Sequence, residues 1–407
     1  MSRLSIHSKL HFIFTILIVV CLPFAKLIPI FIVLLFLNWI VEADFRRKWQ
    51  VFKSNRIALL FIFVFLLHAI GMVYTQNMKA GWFDLEVKMS LIIFPLIYGS
   101  RPIEAEEKFK VYYFYVLACT IASLFLIGNA SVTYIQTGIN KFYYTNFSVF
   151  LHPSYFAMYL NLAIVMLVLQ LKNNYFRLNK LIIVSLIGFF SLIIFLLASK
   201  MGIFITLLLF IILIINYIRI KRKFLLGFLM IGLLFSTIIS AIVFVPSVKH
   251  RVEYLYRALT VETAKNENES SAIRLMVWKS SVQVISQNLL FGSGTGDVKS
   301  DLVVNYKKNG IDSAYEHQYN AHNAYLQLTI ALGLFGLLIF LLSLFLFLKT
   351  TLRNKNYIYF AFILIVSINF LVESMLDTQA GVIFYAFFNS FLCFTFVKAN
   401  KFNSQVK

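Results

Sequence analysis

Apolar stretches near 20 residues recur from one end of the 407-residue chain to the other, divided by short polar or basic connections and by one long polar segment. A helix needs about 20 apolar residues to cross a hydrocarbon layer of about 30 Å. On that ruler twelve spans are expected, near 9–23, 26–41, 57–75, 81–99, 109–128, 153–171, 180–198, 201–218, 224–245, 324–348, 356–373 and 380–397. In lipid the backbone must satisfy its own hydrogen bonds, so each stretch reads as a helix. The expected fold is an all-α polytopic membrane protein with about 12 transmembrane helices. It divides into residues 1–245 with helices 1–9, a large and partly helical loop at 246–323, and residues 324–407 with helices 10–12. Within the loop the order is a polar run from Thr263 to Ser271, a helical stretch from about Ala272 to Gln287, a turn at Gly292, Gly294 and Gly296, and a polar approach to the tenth span.

Composition supports a membrane protein, since 60% of the residues are hydrophobic and 13% charged, where soluble domains carry about a quarter charged residues. The 37 Lys and Arg against 17 Asp and Glu give a net charge of +20. Placing the N-terminus inside puts 23 of those 37 cations on the inner connections, Arg46, Arg47, Lys48, Arg101, Arg219 and Lys355 among them. That bias fixes orientation, and it places the long loop between spans nine and ten on the outer face. Anionic lipid and topology account for the basic charge, so no nucleic-acid partner is expected. Cys21, Cys119 and Cys393 all fall in apolar runs, which leaves no disulfide framework or cysteine metal site. The first apolar run meets Pro23 and Lys26 without a small-residue cleavage signal, so a cleavable leader is not expected.

Candidate chemistry gathers at the outer ends of the helices. Asn320-Ala-His322-Asn323-Ala-Tyr325 opens the tenth span, where an Asn is a good N-cap and puts His322 at or within the first turn. There the positive helix end favours a neutral, base-competent imidazole and attracts phosphate; the plainer reading is an interfacial histidine. Arg274 and Trp278, four apart, share one face of the loop helix. A guanidinium pairs bidentately with phosphate oxygens, although a lone loop arginine is more often a solvated cation. Gly292-Ser-Gly294-Thr-Gly296 reads as a turn or an anion nest, and it lacks the Gly-Lys-Ser/Thr ending of a P-loop. Lys200, between spans seven and eight, either snorkels or faces a cavity. His152-Pro-Ser-Tyr155 places a titratable ring at the outer start of the sixth span. Glu373 with Asp377, and Asp84 with Glu86, are the carboxylate pairs; Asp84 also has Lys88 at i+4, and neither pair makes a convincing metal site.

Taken together, Arg274-Leu-Met-Val-Trp278, Asn288-Leu-Leu-Phe-Gly292-Ser-Gly294-Thr-Gly296, Ala321-His322-Asn323-Ala-Tyr325-Leu326 and Gly333-Leu-Phe-Gly336 resemble the O-antigen ligase and O-antigen polymerase superfamily of bacterial envelope glycan transferases. The likeness is sharpest from about 270 to 345, with His152-Pro-Ser-Tyr155 and Glu373-Ser-Met as weaker matches. One departure is Ser199-Lys200-Met201-Gly202, where many relatives read Ser-Arg-Gly. The resemblance implies an inner-membrane enzyme whose site faces the periplasm. It would move a glycan from an undecaprenyl-diphosphate carrier to a sugar hydroxyl of lipid A-core, inverting the anomeric centre without metal or other cofactor. In that reading His322 is the base, and Arg274 with Lys200 the diphosphate clamp. Lys200, Trp278, Asn323, Tyr325, His152, Tyr155, His317 and Glu373 would bind diphosphate or glycan. The alternatives are a polymerase, whose acceptor is another lipid-linked glycan, and, further off, a lipid-glycan flippase or transporter. Against a transporter stand the position of the long loop and the want of matching broken helices in two halves.

Overall fold

The computed structural model describes residues 3–53, 56–101, 103–173, 178–225, 229 and 270–405. Among them every regular element is a helix: α1 Arg3–Cys21, α2 Ile28–Val41, α3 Phe45–Lys53, α4 Arg56–Gly71, α5 Met78–Lys88, α6 Ser90–Ser100, α7 Ala105–Thr137 and α8 Pro153–Asn173. The second half continues with α9 Lys180–Leu196, α10 Lys200–Lys221, α11 Ser270–Gln287, α12 Val298–Lys308, α13 Asp312–Glu316, α14 Ala324–Arg353, α15 Tyr357–Asn369 and α16 Gln379–Gln405. The expected ninth span at 224–245 and the polar run Thr263–Ser271 fall almost wholly outside the described residues.

Six helices among the described residues are long and apolar enough to cross a membrane, and a seventh span arises if α2 and α3, bent by 109°, count as one. The expectation of twelve rests on shorter elements as well. Apolar segments at Lys180–Leu196, Tyr357–Asn369 and Gln379–Phe394 are each below full span length. The stretch expected as a single helix over 81–99 is divided between α5 and α6 at Met89. Hydropathy sees neither the division nor α3, whose Arg-Arg-Lys-Trp sequence reads as a basic connection.

Burial follows the helices that are apolar all round. The α8 residues Phe156 to Ala163 are buried with the exception of none, and α8 packs on α7, α9, α10 and α15. On α16, Phe384, Phe387, Phe388 and Phe391 lie against Tyr98, Tyr115 and Tyr159. Two tyrosine hydroxyls inside this apolar mass are paired: Tyr115 donates to the Tyr159 carbonyl at 2.9 Å, and Tyr159 to that of Ala380 at 3.0 Å. Small residues bring helices close. A Cβ added at Gly202 would stand 2.5 Å from that of Ala157, and Asn161 of α8 donates to the Gly202 carbonyl at 3.0 Å.

The glycine-rich turn is a structural clasp. α14 breaks at Gly333 (φ 65°, ψ −170°), which frees carbonyls in the turn before it. Ser293 N–H donates to Ile330 O at 2.8 Å and Gly294 N–H to Ala331 O at 3.0 Å, while Leu334 and Phe335 donate back to Leu289 and Leu290. Two of the amides that an anion nest would offer are therefore committed to helix carbonyls. An added Cβ at Gly333 would lie 2.2 Å from Leu290 carbonyl atoms, in a left-handed backbone. Gly333→Ala is expected to cost more than the roughly 1–2 kcal/mol of left-handed strain alone and to lower the melting temperature of the detergent-solubilised protein. Gly128→Ala, with nothing within 4 Å of the new Cβ, should hold or raise it. Equal melting of both variants would contradict the clasp.

Candidate functional site

Four elements converge on one buried carboxylate. Glu373 lies in the connection between α15 and α16, beyond the helix that was expected to run to it, and its residue is 6% exposed. Arg274, in the first turns of α11, donates from Nη2 to Glu373 Oε1 at 2.9 Å. His322, just before α14, brings Nδ1 to 4.0 Å from Glu373 Oε2. That is an ion-pair distance and too long for a hydrogen bond. His152, just before α8, is near enough for its charge to act on Glu373. Burial works to raise the Glu373 carboxyl, yet His322, Arg274 and His152 together draw it below the usual carboxylate range. For His152 partial desolvation dominates and lowers the imidazole; Glu373 opposes this, and Arg274 and His322 add to it. The result is a compact array of one anion among one guanidinium and two imidazoles.

The backbone that presents His322 differs from the expected first turn. Asn323 caps α14, its Oδ1 accepting from Tyr325 N–H at 2.9 Å and Leu326 N–H at 3.1 Å. His322 sits one residue earlier in a left-handed conformation (φ 45°), and its N–H donates to Asn320 Oδ1 at 3.0 Å. Asn320 thus shapes the turn before the helix. The Asn323 N–H donates to Ser374 Oγ at 3.2 Å, tying this turn to the connection that carries Glu373. Tyr319 packs edge-on to His322 with ring centroids 5.4 Å apart, and exposed His317 stacks on Tyr319 at 5.4 Å.

Other expected residues are distributed around this centre. Trp278 is partly buried, with its indole N–H enclosed and without a hydrogen-bond partner among the described residues. Tyr155 is buried, and its hydroxyl receives a hydrogen bond from Thr378 Oγ1 at 2.9 Å. Tyr325 spends its hydroxyl on the Ser367 carbonyl at 3.0 Å and packs on Phe340 and Phe370, so it joins α14 to α15. Lys200 stands exposed at the N-terminus of α10, and the groups that act on Glu373 among the described residues are Arg274, His152 and His322.

A second charged group lies next along the same connection. Lys88, fully buried at the end of α5, reaches Asp84 Oδ1 at 2.5 Å and Asp377 Oδ1 at 3.0 Å. His68 of α4 brings Nδ1 to 3.6 Å from Asp84 Oδ2. The sequence offered Asp84 with Glu86 and Glu373 with Asp377 as carboxylate pairs; in space Asp84 and Asp377 meet, and the Lys88 ammonium lies between them. The signal for that grouping was Asp84 with Lys88 at i+4; the remote partner Asp377 left none.

What the central array offers is a cation for an anionic leaving group, a ring nitrogen able to take a proton, and a carboxylate between them. No curated protein matches the chain. Residues 183–341, which include Lys200, Arg274, Trp278 and His322 but neither Glu373 nor His152, match the family model described as O-antigen ligase.

Proposed function

We propose that the protein moves a glycan from undecaprenyl diphosphate to a sugar hydroxyl of lipid A-core, on the periplasmic face of the bacterial inner membrane. The observation that carries this reading is the meeting of Arg274, Glu373 and His322, with His152 beside them. In the reaction, the acceptor oxygen attacks the anomeric carbon of the donor. The bond from that carbon to the phosphate oxygen breaks, and its electron pair leaves with the prenyl diphosphate. His322 takes the acceptor proton, which raises the nucleophilicity of the oxygen as the bond forms. Attack from the side opposite the leaving group inverts the anomeric centre. Positive charge for the diphosphate comes from the protein, so the step needs no nucleotide and no metal ion.

Glu373 explains how one array serves both partners. The Arg274 contact uses Nη2, which leaves donors on Nε and Nη1 for phosphate oxygens. An arriving diphosphate draws Arg274 away from Glu373, and the carboxylate is then the counter-ion for the imidazolium formed at His322. Trp278, His317 and Tyr319 supply stacking surfaces for sugar rings. Tyr155 and Asn323 hold the connection and the turn in place, and Lys200 offers a further cation on the approach of the carrier. The wider arrangement belongs to the same reading: twelve spans, the N-terminus inside, residues 1–245 and 324–407 in the membrane, and 246–323 forming the large periplasmic loop. A polymerase that uses another lipid-linked glycan as acceptor would run the same chemistry.

Arg274→Lys tests the clamp, because it keeps the charge and loses the fork. Transfer, read as polymer joined to acceptor on a gel, should fall about 10- to 100-fold, in keeping with roughly 1.5–3 kcal/mol for a charge-assisted hydrogen bond. Near-normal transfer by that variant would defeat the assignment.

A further inference from the structure

The face of the bundle that carries α3 holds a cavity remote in kind from the charged array. Its volume is about 390 Å³, within the roughly 300–1,000 Å³ of small-molecule sites. Its walls come from three elements: Trp39 of α2, Phe45, Trp49 and Phe52 of α3, and Leu96 of α6. Lys48 and Ser100 also line it, and Arg46 does so at the exposed side.

The local sequence dictates this geometry. α2 ends at Val41, and Ala43 and Asp44 adopt left-handed conformations (φ 58° and 53°) that turn the chain by 109° into α3. If α2 crosses the membrane, α3 lies along its surface, and the composition of α3 suits that place: cations interleaved with Phe45, Trp49 and Phe52. Phe45 and Trp49, at i and i+4, are each 51% exposed, whereas Phe52 is buried.

The cations of α3 are not equivalent. Lys48 is buried and balanced, with Nζ 2.9 Å from Glu42 Oε2, a hydrogen bond to the Trp39 carbonyl at 2.5 Å and the Trp39 ring below it at 4.8 Å. Arg47 pairs with Asp44 at 2.9 Å. Arg46 has no ion pair among the described residues, and it borders the aromatic cavity. The Trp39 indole N–H is already spent on Ser100 Oγ at 2.9 Å, so the walls offer apolar surface with one open charge at the rim.

We propose that this cavity binds an anionic glycerophospholipid of the adjoining leaflet, with its phosphate on Arg46 and an acyl chain against Trp39, Phe45, Trp49 and Leu96. Charge complementarity selects an anionic headgroup, and the aromatic walls select a chain over free phosphate. The site does not depend on the glycan-transfer reading, because its residues are separate from Arg274, His322 and Glu373.

The test is lipid retention by native mass spectrometry of the purified full chain, after exchange in nanodiscs of phosphatidylglycerol or phosphatidylcholine. The wild type should keep one phosphatidylglycerol and no phosphatidylcholine, and 10 mM inorganic phosphate should not displace it. Arg46→Glu should reduce retention at least tenfold and Arg46→Lys should keep most of it. Arg47→Glu, outside the cavity and already paired, should match the wild type. Each variant's melting temperature is measured alongside, and a variant that melts early is replaced by Arg46→Gln. Equal retention of the two lipids, loss on adding phosphate, or equal losses in the Arg46→Glu and Arg47→Glu proteins would overturn the proposal.

Discussion

His322→Ala is expected to lower glycan transfer by about 10²- to 10⁴-fold, the usual contribution of a positioned acid or base, while the protein still inserts and accumulates. The side chain is 27% exposed and the turn beneath it is held by backbone and asparagine contacts, so its removal leaves no large cavity. Glu373→Gln separates orientation from bulk shape. It removes the anion that Arg274 and His322 share while preserving a side chain of the same size. Its transfer should fall as well, because the imidazolium then lacks its counter-ion. Arg274 would be left without a partner among the described residues until donor arrives, so the Glu373→Gln protein should bind donor at least as well as the wild type while turning it over more slowly. Near-normal transfer by the His322→Ala protein would leave His322 an interfacial residue of the turn.

The Lys88→Met protein is expected to lose stability by about 3–5 kcal/mol, the scale seen when one partner of a buried ion pair is removed. Lys88 is fully buried, and its removal leaves Asp84 and Asp377 facing each other without the cation between them. Asp377 stands four residues after Glu373 on the same connection, so that disturbance reaches the candidate site. Adding Asp84→Asn and Asp377→Asn to Lys88→Met should restore much of the melting temperature, since a neutral cluster carries no uncompensated charge. A Lys88→Met protein that melts with the wild type would mean that the carboxylates find another partner.

Much of this architecture was legible from hydropathy, because an apolar run long enough to span lipid has few other places to go. The helices opening at Pro153, Lys180, Lys200 and Ala324 start within a residue of the expected spans. What pattern alone does not carry is where a run breaks. The 81–99 run divides at Met89, and α14 continues in sequence through Gly333 although its backbone leaves the helix there. The second break is held by a distant segment, residues 289–294. The site shows the same division. Arg274 and His322 stood out as charged or titratable residues at outer helix ends, and His152 for the same reason. Glu373 was named as one of a carboxylate pair and as a weaker family match, but its meeting with Arg274, across 99 positions of sequence, had no local signal. The glycine run shows the converse: it looked like anion chemistry, but the amides of Ser293 and Gly294 bond helix carbonyls.

The central claim is tested most directly by supplying the purified protein in nanodiscs with undecaprenyl-diphosphate-linked glycan and lipid A-core, and following both halves of the donor by mass spectrometry. The account predicts one undecaprenyl diphosphate released for each glycan joined to the acceptor, with inverted anomeric configuration, and no such release in the His322→Ala protein. An intact donor after incubation with a competent acceptor, or release that is unchanged in the His322→Ala protein, would contradict it.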